Sequence, residues 1–176
     1  MDFDGLVDAY EKPIYNLILR LLGDSEEAAD LTQETFVAAY RSWSGFRGDS
    51  TAYTWLYRIA VNICKNKFKE RDRRRGYEGP SLDEDPSIGD RLSGGTDAHD
   101  RSPDTLVQRK ELKLLVEQAI RQLPPDYRIV AVLRDLQGLS YAEVAEAADL
   151  SVDVVRTRLA RARSMLRKKL GPYLSE

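Results

Sequence analysis

Residues 53–75 read YTWLYRIAVNICKNKFKERDRRR, where three large aromatic side chains precede eight Lys or Arg set against two acids. The whole chain is nearly balanced, with 27 basic and 29 acidic side chains, so this positive charge is local. Cationic side chains neutralise backbone phosphates, and aromatic rings stack on unpaired bases. The combination therefore indicates a surface for a nucleic-acid single strand, or for a duplex that is being opened.

In a helix, five side chains of this segment share one face because they step by three and four residues: Trp55, Arg58, Asn62, Lys65 and Lys69. The asparagine on this face can hydrogen-bond a base edge. Another face is apolar and can pack on a core. Tyr53 and Tyr57 are equally compatible with base stacking and with burial, and Cys64 is expected to be a small core residue.

A second basic segment, residues 156–169, carries seven basic side chains and no acid. It follows a short helix that Ser140 and Glu143 can begin as a capping box, and then a tight turn. The second helix has one apolar stripe, formed by Val152, Val155, Leu159, Ala162 and Leu166. This pattern is typical of a helix-turn-helix, whose second helix enters the DNA major groove. The alternative is a bundle helix with a solvated basic face.

The composition predicts an all-α fold, because residues that favour helices dominate outside one segment. That segment, residues 76–104, is rich in Gly, Pro, Ser and Asp and holds eight acids against two Arg. Such a composition is typical of a flexible linker. We therefore predict two small helical domains, residues 1–75 and 105–176, joined by a flexible acidic linker.

Local signals predict where individual helices begin and end. Gly23 ends the first helix and Asp24 or Ser25 can cap the second, while Pro124-Pro125 separates two helices of the second domain. Gly171-Pro172 predicts the end of the last helix. The long basic helix can be capped by Asp49, Ser50 or Thr51.

Several functional classes are disfavoured. One cysteine and one histidine cannot build the usual four-ligand Cys/His metal site. We expect neither a metal nor another cofactor. The sequence shows neither the basic start and apolar run of a signal peptide nor an apolar run long enough for a membrane span. We therefore predict a cytoplasmic protein without direct membrane insertion. A nuclease would need converging carboxylates, and the acids of the first domain lack such spacing. We therefore predict no enzymatic activity and no small-molecule substrate.

Four stretches together resemble the bacterial extracytoplasmic-function sigma factors of the sigma-E type. They read DLTQETFVAAYRSWSGFRGDS, YTWLYRIAVNICKN, LPPDYRIVAVLRDLQGLSYAEVAEAADLS and VRTRLARAR, and they follow the family's order. The resemblance implies an alternative RNA polymerase sigma factor with sigma region 2 in residues 1–75 and sigma region 4 in residues 105–176. Such a protein binds core polymerase, recognises the minus-ten and minus-thirty-five promoter elements and initiates transcription.

The resemblance also implies roles for individual residues. The loop SGFRGDS and the helix after it would grip the melted minus-ten strand, with one base flipped into a pocket. The positions for this role are Phe46, Arg47, Ser50, Asn62 and Lys65, beside Trp55, Arg58 and Lys69 on the same helix. The helix-turn-helix would contact the minus-thirty-five element through Arg156, Thr157, Ala160 and Arg161. Asp153 and Val154 stand where the family often has Gly-Thr, so we expect a different minus-thirty-five sequence from that of close relatives.

The partners implied are RNA polymerase core, promoter DNA and an anti-sigma factor. The DLTQETF helix would dock on a coiled coil of the polymerase clamp, and the second domain would meet the flap region. One face of that helix is acidic and suits a basic partner helix, through Asp30, Gln33, Glu34 and Val37; the alternative is an ordinary solvated face. An anti-sigma factor would clamp both domains, could hold the protein at the membrane and would release it in a stress response.

The alternative function is a stand-alone helix-turn-helix transcriptional regulator. It explains the second domain equally well, but it does not explain the aromatic and basic face of the first. A regulator should bind its duplex alone. A sigma factor should bind promoters weakly until core polymerase is present.

Overall fold

The computed structural model of the chain describes residues 2–46, 48, 51–78 and 103–174. This part of the chain is built from helices and contains no β-strand, as the composition predicts. The α-helices are α1 Phe3–Leu22, α2 Ser25–Ser42, α3 Ala52–Glu78, α4 Pro103–Arg121, α5 Pro125–Ala131, α6 Tyr141–Ala148 and α7 Val152–Leu174. None of them is long and apolar enough to cross a membrane. Most of the predicted linker lies outside the described residues, so the domain limits stay a prediction.

The helices of the first half are bounded by local capping groups. Gly23 has a left-handed backbone, with φ 78°, and its N–H bonds the Leu19 carbonyl to end α1. The Asp24 carboxylate then accepts hydrogen bonds from the backbone N–H groups of Glu26 and Glu27, at 2.9 and 3.1 Å. The Thr51 hydroxyl accepts one from Thr54 N–H at 3.2 Å, which makes Thr51 the cap of α3.

The second half has two features that depart from a regular, locally terminated α-helix. After α5 the chain continues as a single π-helical turn, Val132–Leu136, and leaves the helix at Gly138 with φ 76°. The predicted stop at Gly171-Pro172 is wrong, because α7 passes through Pro172 to Leu174. A proline in the final turn removes only one intrahelical hydrogen bond, close to an end that already leaves carbonyl groups free.

One hydrophobic core joins the two halves. The buried side chains of α1, α2 and α3 form a contiguous cluster that also contains side chains from α4 to α7, among them Ile120, Val130, Leu133 and Val144. Within this core α1 packs on α2, and α3 packs on α6. The packing of α3 on α6 places the first basic helix directly against the helix-turn-helix, and this contact covers part of its surface.

Candidate nucleic-acid interface

An aromatic cluster forms where the chain returns from α2 to α3 through a 3₁₀ turn, Trp43–Gly45. Phe46 stacks on Trp43, with ring centroids 5.7 Å apart, and meets the Trp55 ring at 5.0 Å. Phe3 meets Trp43 edge-on at 5.7 Å. The structure thus brings together Phe46 and Trp55, two residues assigned to the same surface. Arg47 and Ser50, assigned with them, lie outside the described residues.

Trp43 and Phe3 belong to this cluster although the sequence analysis did not select them. The available signal for Trp43 was its position three residues before Phe46 in the same aromatic stretch. Phe3 offered no such signal, because it is distant in sequence and reaches the cluster only through the packing of α1 on α2.

The polar positions after Trp55 differ in exposure along α3. Arg58, Asn62 and Lys69 are exposed, and Lys65 is half-buried. The other side of α3 buries Tyr57, at 2% exposure, and Cys64, at 0%. Tyr57 is therefore a core residue, and burial raises the pKa of its hydroxyl to about 12.

Two cations of the α3 face bind the C-terminal end of α6. Lys65 Nζ donates to the Ala148 carbonyl at 2.5 Å, and Arg58 lies 3.7 Å from the Asp149 carboxylate. The end of a helix carries partial negative charge on its free carbonyl groups, so it attracts cations. Desolvation lowers the pKa of Lys65, while the Asp149 and Asp126 carboxylates act in the opposite direction.

Two further hydrogen bonds join α3 to the second half of the chain. The Tyr57 hydroxyl donates to Gln137 Oε1 at 3.0 Å, and the Thr54 hydroxyl lies 3.5 Å from a Glu143 carboxylate oxygen. The side of α3 assigned to the minus-ten strand is therefore partly covered by α6. Its aromatic end and Asn62 stay outside these contacts.

The helix-turn-helix consists of α6, a turn and α7. Ser140 and Glu143 form the expected capping box, with bonds of 2.9 and 3.1 Å. Leu150 N–H bonds the Ala145 carbonyl at 2.9 Å across the turn, and the Ser151 hydroxyl accepts from Val154 N–H at 3.2 Å. Five residues of α7 line its core side, of which Val155, Leu159 and Ala162 are fully buried and Val152 and Leu166 partly so.

The opposite side of α7 is exposed at all four positions assigned to the minus-thirty-five element: Arg156, Thr157, Ala160 and Arg161. The Thr157 hydroxyl donates to the Asp153 carbonyl of its own helix at 3.0 Å. Two other arginines of α7 are engaged by acids of the same half. Arg163 makes two hydrogen bonds to the Asp135 carboxylate, at 2.7 and 3.1 Å, and Arg158 lies 3.8 Å from Asp126. These four arginines of α7 thus fall into two groups: Arg158 and Arg163 are paired with acids, and Arg156 and Arg161 are exposed.

The predicted polymerase-docking face of α2 is exposed at every position, Asp30, Gln33, Glu34 and Val37. The face extends one step farther than predicted, to Tyr40, a residue that is 67% exposed and whose ring centroid lies 5.2 Å from that of Phe3. The sequence signal for Tyr40 was its position three residues after Val37, which places both on the same face of the helix. An exposed aliphatic and an exposed aromatic side chain beside two carboxylates suit a partner with both apolar and basic groups.

Comparisons with known proteins agree with this arrangement. The family Sigma-70 region 2 matches residues 6–74, and the family Sigma-70, region 4 matches residues 113–166. The chain is 42% identical over 175 residues to an RNA polymerase sigma-H factor of Pseudomonas aeruginosa, covering 99% of this chain and 89% of the relative. It is 40% identical over 173 residues to an ECF RNA polymerase sigma-E factor of Escherichia coli K12, covering 98% and 88%.

A solved structure supports the fold. The sigma factor RpoE of Bartonella quintana, in complex with the anti-sigma factor NepR, superimposes with a TM-score of 0.72 at 21% identity and covers 99% of both chains.

Two family matches in the expected order, together with relatives of about 40% identity along nearly the whole chain, establish the family. The chain belongs to the extracytoplasmic-function sigma factors, non-enzymatic initiation factors that bind RNA polymerase and promoter DNA.

Proposed function

We propose that this sigma factor recognises two promoter elements with separate surfaces. The start of α3 binds the melted minus-ten strand, and the outer face of α7 reads the minus-thirty-five duplex. The observation that carries the proposal is the outer face of α7, where Arg156 and Arg161 are exposed while Arg158 and Arg163 face acids. Exposed arginines that no acid in the described part of the same half engages, on the outer face of a recognition helix, are suited to guanine edges.

The minus-ten role draws support from the aromatic cluster beside Asn62. Rings such as Phe46 and Trp55 give stacking surfaces for unpaired bases, and the asparagine adds a hydrogen-bonding group. Arg58 and Lys65 currently hold the end of α6. We infer that α3 and α6 separate when a DNA strand takes over these two cations.

Polymerase docking is assigned to α2. Asp30, Gln33, Glu34 and Val37 form the surface, with Tyr40 added at its end. The carboxylates would meet a basic helix of the polymerase clamp, and the second half of the chain would meet the flap.

Regulation by an anti-sigma factor completes the proposal. The structural neighbour RpoE was solved with its anti-sigma factor NepR, and its fold matches this chain over both halves. An anti-sigma factor would hold the protein inactive in the cytoplasm, or at the membrane, until a stress signal releases it.

The function is tested by transcription with purified bacterial core polymerase, with and without the full-length protein, on a library of promoter fragments. We expect discrete start sites that require the protein and two upstream sequence blocks. If transcription from a start site continues after one of the two blocks is replaced, the surface assigned to that block does not recognise it. Tight duplex binding by the protein alone, without transcripts, would favour the stand-alone regulator.

Asn62→Ala is expected to reduce open-complex formation about tenfold, the effect of losing roughly one base contact. Assembly with core polymerase should be unchanged, because the proposed docking face is on α2 and Asn62 is an exposed residue of α3. Permanganate footprinting of the melted region measures the first effect, and core binding measures the second. Asn66→Ala, at an exposed asparagine one turn farther from the aromatic cluster, is the matched control. Equal footprints for the two variants would contradict the assignment.

Arg156→Ala is expected to weaken binding of the holoenzyme to its minus-thirty-five element by about 1–3 kcal/mol, with relaxed preference at one base pair. The reason is the loss of a two-pronged contact to a guanine edge. Competition with promoter fragments that differ only in this element measures the effect. Arg163→Ala, which removes an arginine already bound to Asp135, should leave base preference unchanged. The same loss on scrambled DNA would mean that Arg156 contacts phosphate only.

A further inference from the structure

Tyr141, the first residue of α6, lies beneath two arginine side chains. The guanidinium carbon of Arg134 is 4.9 Å from the centroid of its ring, and that of Arg156 is 5.8 Å away. Both distances fall within the range of a cation–π contact. Arg156 is also the arginine to which we assign base reading, so the Tyr141 ring is a neighbour of the proposed reading side chain.

We propose that Tyr141 is a positioning residue for promoter reading, whose ring holds the Arg156 guanidinium in place at the start of the recognition helix. The inference rests on the proposed function of Arg156. Tyr141 itself need not touch DNA in this role.

The ring is held firmly enough to act as a support. The capping box of Ser140 and Glu143 fixes the backbone on both sides of Tyr141. Arg134 Nη1 donates to the Leu139 carbonyl at 2.7 Å, which ties the π-helical turn to the segment that enters α6. The Tyr141 ring also packs on the main hydrophobic cluster. The ring therefore has little freedom to move away from Arg156.

Tyr141 also lies near Arg163. The pKa of Arg163 is raised, first by its hydrogen bonds to Asp135 and to a smaller extent by the nearby Tyr141 side chain. Replacement by phenylalanine removes the hydroxyl of Tyr141 and keeps the ring that Arg156 contacts.

A ring contact suits a reading arginine better than an ion pair does. Arg163 donates from Nε and Nη2 to Asp135, so that edge of its donor fork is not free for a base. A cation over a ring face uses none of its N–H groups, so the full donor fork of Arg156 stays available for guanine. An arginine side chain has many rotamers, and a support that restricts them reduces the entropy lost on binding.

The test uses holoenzyme made with full-length protein and promoter fragments randomised in the minus-thirty-five element. The position read by Arg156 is first defined as the one where Arg156→Ala relaxes base preference. At that position, Tyr141→Leu should lower the preference about two- to fivefold, whereas Tyr141→Phe should keep it. In an Arg156→Ala background, Tyr141→Leu should have no further effect there. Tyr173→Leu, at an exposed tyrosine near the end of α7, is the control.

Three results would overturn the inference: unchanged preference in Tyr141→Leu, an equal loss at every position of the element, or additive effects of the two substitutions. Thermal unfolding of each variant separates a folding defect from a positioning effect. Tyr141→Met is measured in parallel, so a leucine variant that unfolds does not stop the test. If Arg156→Ala itself leaves every preference intact, the reading role fails as well; if it relaxes one position and Tyr141→Leu does not, only the positioning role fails.

Discussion

Arg128→Ala is expected to lower the free energy of unfolding by about 2–4 kcal/mol, because several charge-assisted hydrogen bonds are lost in a mostly buried site. The Arg128 guanidinium donates to the carbonyl groups of Leu21, Arg121 and Leu123, at 2.7, 2.6 and 2.8 Å. It also lies over the Phe68 ring at 5.3 Å. Without it, the carbonyl groups lose their donor in a site with restricted access to water.

The location of Arg128 explains why the loss should be large. Its bonds reach the C-terminal ends of α1 and α4, where free carbonyl groups favour a cation. Burial lowers its pKa to about 10, with further lowering by Arg71, Arg121 and Arg75. At neutral pH it therefore stays charged and continues to join the first half of the chain to the second.

Urea denaturation of the full-length protein measures this effect. Arg128→Lys keeps the charge but loses the forked geometry, so it should recover only part of the stability. Arg121→Ala is the matched control, because its backbone carbonyl still accepts from Arg128; its loss should stay below about 1 kcal/mol. A loss of the same small size in Arg128→Ala would show that the bond between the halves contributes little.

The thiol of Cys64 is expected to react at least about 1,000-fold more slowly in the folded protein than in the unfolded chain at pH 8. Burial raises its pKa from 9.0 to about 12, against a smaller lowering by Arg71, and only the thiolate reacts. Three pKa units reduce the thiolate about 1,000-fold, and complete burial excludes the reagent as well. The rate with a thiol reagent, in buffer and in urea, tests this; fast reaction in buffer would contradict it.

The same pKa shift predicts how stability depends on alkaline pH. A thiol whose folded pKa lies above its unfolded value stabilises the fold fully below about pH 9, and this contribution is lost as pH rises toward 12. Tyr57, whose pKa is raised from 10.0 to about 12, also stabilises the fold below about pH 10, and this contribution is lost as pH rises toward 12. The free energy of unfolding should therefore fall between pH 9 and 12. Cys64→Ala should make that fall shallower; an unchanged slope would place the thiol in contact with solvent.

Helix limits were predictable where one short stretch of chain determines them. The turn at Gly23 and Asp24, the break at Pro124-Pro125 and the capping box at Ser140 depend on hydrogen bonds between residues at most four apart. Pro172 shows the limit of such rules, because its effect depends on how much helix follows it. The π-helical turn after α5 was not predictable from local signals either, because Val132–Leu136 contains neither proline nor glycine.

The candidate site was predictable as a set of faces. Helical spacing alone placed Asn62 and Lys69 on one face of α3, and both are exposed. The selection of Arg156 and Arg161 followed from the family resemblance, and both are exposed on α7. Helical spacing could not separate Tyr53 from Tyr57, which lie four residues apart; the first is half-buried, and the second is part of the core. That distinction depends on what packs against α3.

The sequence by itself therefore determined the all-α class, the helix-turn-helix, the basic and aromatic faces and the sigma-factor family, because periodicity, capping and motif order are properties of neighbouring residues. Only the tertiary structure decided that Lys65 and Arg58 hold the end of α6, that Asp135 binds Arg163, and that Arg156 lies over the Tyr141 ring. Several of these contacts join residues far apart in the chain, and all of them depend on how the helices pack. Their formation depends on the shared core, which brings such groups within bonding distance.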